Sequence, residues 1–308
     1  MNFKNKKPYL IVVDWGTSSF RARCIDKQGN IIDMISTNEG ILKSHPNFEE
    51  TLFNNIIKLK YYSSSIPIIL SGMIGSKNGW KEISYINLPC SIDNLSNKII
   101  RLDNKNNAKI LLIPGVCKID KYPDVIRGEE TEVLGAISSL NLKNASIIIT
   151  GTHSKLIKIE DKKIVNFRTF LTGEMFYALS KASILGAFKN EVDHKSIWFK
   201  KGVDIGFNTK HGGDLLNAIF LARSNILCGD LPEKYSLSYL SGVLIGAEIG
   251  ASNYEQNHIW IMGNGNLPLV YSSALQHLNY STDIIDENCI IKGYLSIYNT
   301  YLRNTNEQ

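Results

Sequence analysis

Two stretches of this chain spell the same local architecture, and that repetition restricts the fold more than any other feature. Tyr9 to Val13 is a short β-branched run. It ends in Asp14-Trp15-Gly16-Thr17-Ser18-Ser19 and continues into Phe20 to Ile25, where apolar and polar residues alternate; the turn Gln28-Gly29-Asn30 and a third strand, Ile31 to Ser36, follow. Far downstream, Ala145 to Ile149 is a buried run closing on Thr150-Gly151-Thr152-His153. Leu156 to Glu160, the charged turn Asp161-Lys162-Lys163 and Ile164 to Phe167 then complete a second set. Each half thus opens with strand, polar turn, strand, turn and strand, and two such turns facing across a cleft can hold the phosphates of one nucleotide.

The intervening pattern is mixed α/β. Phe48 to Leu59 carries apolar residues at helical spacing, Pro67 to Leu70 reads as a strand stopping at Ser71-Gly72-Met73, and Ile110 to Ile113 is another, closed by Pro114-Gly115. A β-β-β-α-β start excludes a plain alternating βα arrangement. Glu129 to Leu140 reads as a helix, as does Leu237 to Ala251, whose Gly242, Gly246 and Gly250 put a flat small-residue stripe on one face. Ile259 to Met262 is a late strand ending in Gly263-Asn264-Gly265-Asn266, and Ile291 to Leu302 a terminal helix. With 308 residues and domains of roughly 100–200 residues each, two lobes are expected.

Composition removes several function classes. The apolar fraction of 44% and the 8 prolines exclude a disordered or fibrous chain. The net charge of +5 is spread thinly through lysine-rich loops such as Lys4 to Lys7 and Lys201 to Lys210 and forms no nucleic-acid footprint. Cys24, Cys90, Cys117, Cys228 and Cys289 are an odd set without a C-x-x-C pair, so neither a disulfide framework nor a zinc site is signalled. The start is too polar for a signal peptide, and no apolar run approaches the roughly 20 residues of a membrane helix. A cytoplasmic protein, without a membrane or nucleic-acid partner, is expected.

Four segments carry candidate chemistry. Gly16 lets backbone N–H groups approach an anion, Thr17 and Ser18 add hydroxyls, and Asp14 supplies a hard carboxylate for Mg²⁺; a plain hairpin turn with an Asx cap is the competing explanation. Gly151, Thr152, His153 and Lys155 make a second phosphate loop, with Lys155 as a point charge and His153 alternatively a structural histidine. Arg127-Gly128-Glu129-Glu130-Thr131 sets paired acids beside an arginine at a helix start. There Glu129 takes the proton of a hydroxyl nucleophile and Arg127 fixes an anionic group, or both acids simply complement the helix dipole. In Ser71 to Trp80, Gly75 lies in a glycine-rich run where Ser76, Asn78 and Trp80 offer donors and an aromatic wall to a polyol.

These strings, with Ile113-Pro114-Gly115, Phe167-Arg168-Thr169, Thr172-Gly173-Glu174 and Leu240 to Glu248, fall in one order along nearly the whole chain. As a set they closely resemble the 2-dehydro-3-deoxygalactonokinase family. The resemblance implies the two-lobed actin/hexokinase-like (ribonuclease H-like) α/β ATPase fold with the active site in the interlobe cleft. Residues 1–137 would form an N-terminal lobe with the first phosphate loop, the sugar-acid site and the linking helix, and 138–308 a C-terminal lobe with the second phosphate loop and the adenosine loop. It also implies transfer of the ATP γ-phosphoryl to the 6-hydroxyl of 2-dehydro-3-deoxy-D-galactonate, in galactonate catabolism. Ser154 stands where that family usually has Cys, and Leu156 where it has Trp.

On that basis Asp14 organises Mg²⁺ and the γ-phosphate, and Glu129 is the base, with Glu130 pointing about 100° away around the helix. Gly16, Thr17, Ser18, Gly151, Thr152, His153 and Lys155 meet phosphates, and Gly263, Asn264 and Leu267 border the adenosine. The substrate carboxylate wants an arginine: Arg127 or Arg168, with Arg21 in reserve. A kinase of another sugar acid and a catalytically decayed sugar-binding protein of the same fold stay open at this point, and the oligomeric state is not readable.

Overall fold

The protein is described by a computed structural model covering residues 7–187, 191–252, 254 and 256–305; residues 1–6 of the lysine-rich start lie outside the described residues. By contact the chain divides into two compact units. One holds residues 1–143, 160–166 and 288–308, the other 144–159 and 167–287. The cut therefore differs from a single boundary after residue 137: the last segment of the chain counts with the first unit.

The first unit is built on a six-stranded sheet. Strands β1 (Leu10–Trp15), β2 (Phe20–Ile25) and β3 (Ile31–Thr37) form the expected antiparallel meander. After the short α1 (Ile41–Ser44) and the helix α2 (Phe48–Ile56), strand β4 (Ile68–Gly72) pairs parallel to β1. Then come β5 (Ile86–Asn87), α3 (Ile92–Ser96), β6 (Ile100–Leu102) and β7 (Ile110–Leu112), giving the sheet order β3-β2-β1-β4-β7-β6. The strands β8 (Val116–Lys118) and β9 (Asp124–Ile126) join β5 in a separate three-stranded sheet.

Alternation along β1 decides what each face does. Ile11, Val13 and Trp15 bury with Phe48, Leu52 and Ile56 of α2 in one apolar cluster. Asp14 therefore faces the other side of the sheet. There α4 (Glu129–Leu140) packs closely against the C-terminal helix, Cys289–Thr305. A methyl group at Gly135 would lie 2.1 Å from the carbonyl oxygen of Cys289, and one at Gly293 2.1 Å from that of Thr131. The C-terminal helix also sends Tyr294 under β1 and β4: its hydroxyl donates to the Val13 carbonyl at 2.9 Å and meets Ser71 Oγ at 2.5 Å.

The second unit repeats the plan. Strands β10 (Ala145–Ile149), β11 (Ser154–Glu160) and β12 (Lys163–Phe170) form the second meander, of which residues 160–166 count with the first unit. The hairpin between β11 and β12 turns on Asp161 and Lys162, both at positive φ, as a twisted two-residue turn requires. Then follow α5 (Thr172–Ala182), α6 (Ile197–Phe207), α7 (Gly212–Leu227) and α8 (Ser236–Gly250). Strand β13 (His258–Met262), α9 (Leu267–His277) and β14 (Ser281–Ile284) complete the sheet β12-β11-β10-β13-β14.

The glycine stripe of α8 has a partner. Methyl groups at Gly242 and Gly246 would lie 2.2 and 2.3 Å from the carbonyl oxygens of Phe199 and Val203, so α6 runs in backbone contact along that stripe. Among the described residues no helix is long and apolar enough to cross a membrane. Among the described residues the five cysteines form no disulfide, and only Cys228 is exposed.

Candidate active site

The first candidate loop is tighter than its sequence suggests. Gly16 N–H donates to the Ser19 carbonyl at 2.9 Å, so the turn spans Gly16 to Ser19, and the N–H groups of Ile41 and Leu42 close on the carbonyls of Gly16 and Thr17 from behind. Thr17 and Ser18 stand exposed at its tip. Asp14 is not in the turn but inside β1, paired in register with Arg21 of β2 and Ser71 of β4. Its Oδ2 lies 3.4 Å from Nη1 of Arg21, which accounts for that arginine without a substrate. Burial raises the Asp14 carboxyl above the ordinary range, the positive charges of Arg21 and Arg23 pull it back, and Glu129 pushes it up again.

That last effect places the start of α4 close to Asp14. Gly128, at φ +111, turns the chain into the helix in a conformation that suits glycine. Glu129 Oε2 then accepts the Arg127 N–H at 2.9 Å, and Glu130 Oε2 the Gly128 N–H at 2.7 Å. The two acids part company there. Glu130 is 1% exposed, takes the Thr131 hydroxyl on its other oxygen, and is pushed by burial and by Glu129 up to about 7. Glu132, which sequence reasoning passed over, follows Glu129 by three residues on the same helix face. Burial first, then the charges of Asp14, Glu129 and Glu130, push it up to about 8. The signal was in the sequence: a third acid in the first turn, spaced to meet Glu129.

Asp14, Glu129 and Glu132 are hard oxygen donors that feel one another's charge, the kind of ligand a divalent cation takes. Among the described residues no three metal-binding side chains converge tightly enough to cage an ion alone. Mg²⁺ does not need such a cage, since it is commonly bound by one or two carboxylates plus substrate phosphates and water.

Of the sugar-acid candidates in the same unit, Gly75 borders Arg127. This arginine, 8% exposed, donates from Nη2 to the Ile83 carbonyl at 3.0 Å and lies over the Tyr85 ring at 4.1 Å. Its Nε and Nη1 are buried and have no partner, and Ser76 Oγ is in the same condition. A methyl group at Gly75 would lie 2.8 Å from Nη1, so glycine there leaves the guanidinium edge uncovered. Asn78 is exposed, while Trp80 is half-buried and packs on the apolar cluster under the sheet, which explains an aromatic in a glycine-rich turn without a sugar. Arg168 differs from Arg127: it is exposed, donates to the Ala251 carbonyl at 2.6 Å and stacks on Phe170.

In the second unit Thr150 fastens two loops together. Its N–H and hydroxyl both donate to the Met262 carbonyl, at 2.7 and 3.1 Å. Gly263, at φ +146, passes so near that a methyl group would lie 2.1 Å from Thr150 Oγ1. Thr152 is exposed, His153 Nε2 lies 2.5 Å from Glu174 Oε2, and Lys155 Nζ donates to the His153 carbonyl at 3.0 Å. Asn264 is exposed, and Pro268 sits in the first turn of α9, where its missing N–H costs nothing.

Behind these loops is a cavity of about 380 Å³. Gly151 and Leu267 both line it, as do Thr172, Gly173, Phe176, Leu244 and Tyr271. A slot of mixed apolar and polar lining, with Glu191, His194 and Asn266 among its polar residues, opening beside a Gly-Thr loop has the size of a nucleoside pocket. Glu248, unforeseen from the sequence, lies behind this wall, 4% exposed on α8. Burial raises its carboxyl, and hydroxyl hydrogen bonds from Thr172, Ser154 and Tyr271 draw it back.

A model of the 2-keto-3-deoxy-galactonokinase family matches residues 14–297. Over 293 residues the chain is 29% identical to the candidate 2-dehydro-3-deoxygalactonokinase DgoK1 of Rhizobium meliloti (strain 1021), covering 94% of this chain and 95% of that one. To the 2-dehydro-3-deoxygalactonokinase of Escherichia coli (strain K12) it is 27% identical over 271 residues, 86% and 89% of the two chains. The crystal structure of a candidate 2-dehydro-3-deoxygalactonokinase from Sinorhizobium meliloti superposes with a TM-score of 0.85 at 28% identity over 96% of each chain. The activator of 2-hydroxyisocaproyl-CoA dehydratase from Clostridium difficile, solved with bound ADPNP, matches at TM-score 0.51 and 11% identity over 97% and 98% of the chains, a likeness of fold alone.

Proposed function

The chain belongs to the 2-keto-3-deoxy-galactonokinase family, and on that premise we propose that it holds the carboxylate of its sugar-acid substrate on Arg127. It is an ATP-dependent kinase of the actin/hexokinase-like ATPase fold, a phosphotransferase with an alcohol group as acceptor. It phosphorylates 2-dehydro-3-deoxy-D-galactonate at the 6-hydroxyl to give 2-dehydro-3-deoxy-6-phospho-D-galactonate.

The observation that carries the assignment of the acid is the pair of unpartnered nitrogens on Arg127. A buried N–H without an acceptor costs about 1–3 kcal/mol, more on a charged group. A carboxylate that accepts from these N–H groups lowers that cost, and the buried Ser76 hydroxyl, also without a partner, supplies a further donor. Tyr85 and the Ile83 carbonyl fix the guanidinium on its other side, so the fork is oriented before the acid arrives.

Phosphoryl transfer asks the protein for positioning and charge neutralisation more than for covalent chemistry. Glu129 accepts the proton of the attacking hydroxyl, held in place by the Arg127 N–H. The carboxylates of Asp14 and Glu132 are the residues that would hold Mg²⁺, which when bound neutralises phosphate charge. Gly16, Thr17 and Ser18 are phosphate contacts, as are Gly151, Thr152 and Lys155. His153, tied to Glu174, supports its loop, and the cavity bordered by Leu267 takes the adenosine. The test is ADP release from ATP with the galactonate-derived and gluconate-derived keto-deoxy acids side by side. Turnover with the first is expected, and purified protein that binds that acid yet never releases ADP overturns the reading.

A further inference from the structure

Glu248 is a carboxylate in a helix that otherwise buries apolar and small residues, and an apolar side chain there would avoid the cost of desolvating a charge. One of its oxygens collects three hydroxyl groups. Ser154 Oγ and Tyr271 OH each donate to Oε2 at 2.7 Å, and Thr172 Oγ1 donates to the same atom. The other oxygen, Oε1, is buried with no partner. The residue is therefore not satisfied by its surroundings in general; it is used through one atom, by three segments distant in sequence.

Each of those segments is a piece of the nucleoside cavity. Ser154 opens β11 directly after the Gly-Thr loop, Thr172 opens α5, and Tyr271 lies on α9. Thr172 and Tyr271 line the cavity, and so do Ser241, Leu244 and Ile245, one and two turns before Glu248 on α8. The start of α5 is in turn locked to the loop. Glu174 N–H donates to the Thr152 carbonyl at 2.8 Å, and Gly173 approaches Gly151 so closely that a methyl group would lie 2.3 Å from its carbonyl oxygen. Three parts of the slot, the strand after the Gly-Thr loop, the start of α5 and α9, thus meet on a single oxygen atom.

We propose that Glu248 is a positioning residue for the nucleotide: by drawing Ser154, Thr172 and Tyr271 onto Oε2 it sets the spacing between the Gly151-Thr152 loop and the α9 wall, and with it ATP affinity. The proposal rests on the reading of this cavity as the adenosine site. Charge-assisted hydrogen bonds in a buried site are the strong ones, so the spacing is held stiffly and changes when an arm is cut.

The test is calorimetric titration of the full-length protein with ADP, without sugar acid, joined to steady-state KM values for ATP and for the acid. Glu248→Gln is expected to weaken ADP and raise the ATP KM about tenfold, equivalent to one lost hydrogen bond to a charged group, with the KM for the sugar acid unchanged. Thr172→Val and Tyr271→Phe each weaken ADP to a smaller degree, Thr172→Ser restores wild-type affinity, and each of the first two adds little when combined with Glu248→Gln. These two single variants carry the test if Glu248→Gln does not fold by circular dichroism. A folded Glu248→Gln protein with unchanged ADP affinity, or single variants that leave ADP affinity unchanged or move both KM values equally, overturns the proposal while the kinase reading stands. A wild-type protein that takes up no ADP overturns the adenosine reading and the proposal together.

Discussion

The guanidinium of Arg127 lies 4.1 Å from the centre of the Tyr85 ring, while its Nη2 donates to the carbonyl of Ile83, two residues earlier in the same segment. A planar cation clamped on one face and at one corner keeps its remaining edge in a fixed direction. Arg127→Lys retains the charge but loses the fork and the stacking surface. The KM for the sugar acid should rise about 10- to 100-fold, as expected for one or two hydrogen bonds to a charged group, while the KM for ATP stays where it was. Steady-state kinetics with each substrate varied in turn measures the split, and equal losses for both substrates would remove the carboxylate role.

Asp14→Asn tests the metal assignment. The residue sits inside β1 with Arg21 at 3.4 Å, and its face of the strand is not the one that builds the main apolar cluster. The amide keeps shape and a hydrogen-bond acceptor for Arg21, so the thermal midpoint should move little. It removes a hard anionic donor, so kcat should collapse and the Mg²⁺ concentration for half-maximal rate should rise. A variant that unfolds, with its activity lost in proportion, would make Asp14 a strand-pairing residue only.

What the sequence revealed and what it hid divide along a physical line. The two meanders, α4, α8 and the final helix were legible because each has its own periodicity and its own turn chemistry, down to the Asp161-Lys162 turn. The strands β5, β8 and β9 are two or three residues long, too short for any periodicity, and β14 is the largely exposed Ser-Thr-Asp-Ile, which carries no apolar alternation. At the site, Glu129 and Arg127 stood out as a local cluster. The contact of Tyr85 with Arg127 and the convergence of three hydroxyls on Glu248 are made by residues far apart in sequence, and no local pattern encodes them. Glu248 left one trace: a lone acid in the apolar run Leu237 to Ala251.

Two glycines give a stability test of opposite sign. In an exposed helix Gly→Ala gains about 1 kcal/mol from helix propensity. Gly213, in the first turn of α7, has no atom within 4 Å of the position a methyl group would take. Gly213→Ala should therefore raise the denaturation midpoint slightly. A methyl group at Gly246 meets the Val203 carbonyl at 2.3 Å and the Val203 Cα at 2.9 Å. That contact is backbone to backbone and cannot be relieved by a rotamer change. Gly246→Ala should lower stability by about 1–3 kcal/mol, the usual cost of overpacking, despite its better propensity. Equal midpoints for the two variants would mean that α6 and α8 do not run in backbone contact.

The two glutamates opening α4 make different predictions for rate and for pH. Glu129→Gln keeps an oxygen for the Arg127 N–H but cannot take a proton, so kcat should fall by about 10²- to 10⁴-fold, the range for a positioned base, with sugar-acid affinity nearly unchanged. Glu130 is buried and accepts from the Gly128 N–H and the Thr131 hydroxyl, an environment that suits a structural part. Its carboxyl is raised from 4.5 to about 7 in the fold. The folded state therefore binds the proton more tightly than the unfolded chain does. The resulting stabilisation is complete below about pH 4.5 and is lost as the pH rises through about 7. Glu130→Gln fixes a neutral side chain at that position, so the fall in stability over this window should flatten while kcat changes far less than in Glu129→Gln. Because the charge of Glu129 helps hold Glu130 up, Glu129→Gln should also move the midpoint of that fall to lower pH. Denaturant unfolding of the three proteins from pH 4.5 to 8, beside their kcat values, checks both halves. Equal kcat losses at the two positions would leave the helix start without a distinguishable base and return attention to Asp14.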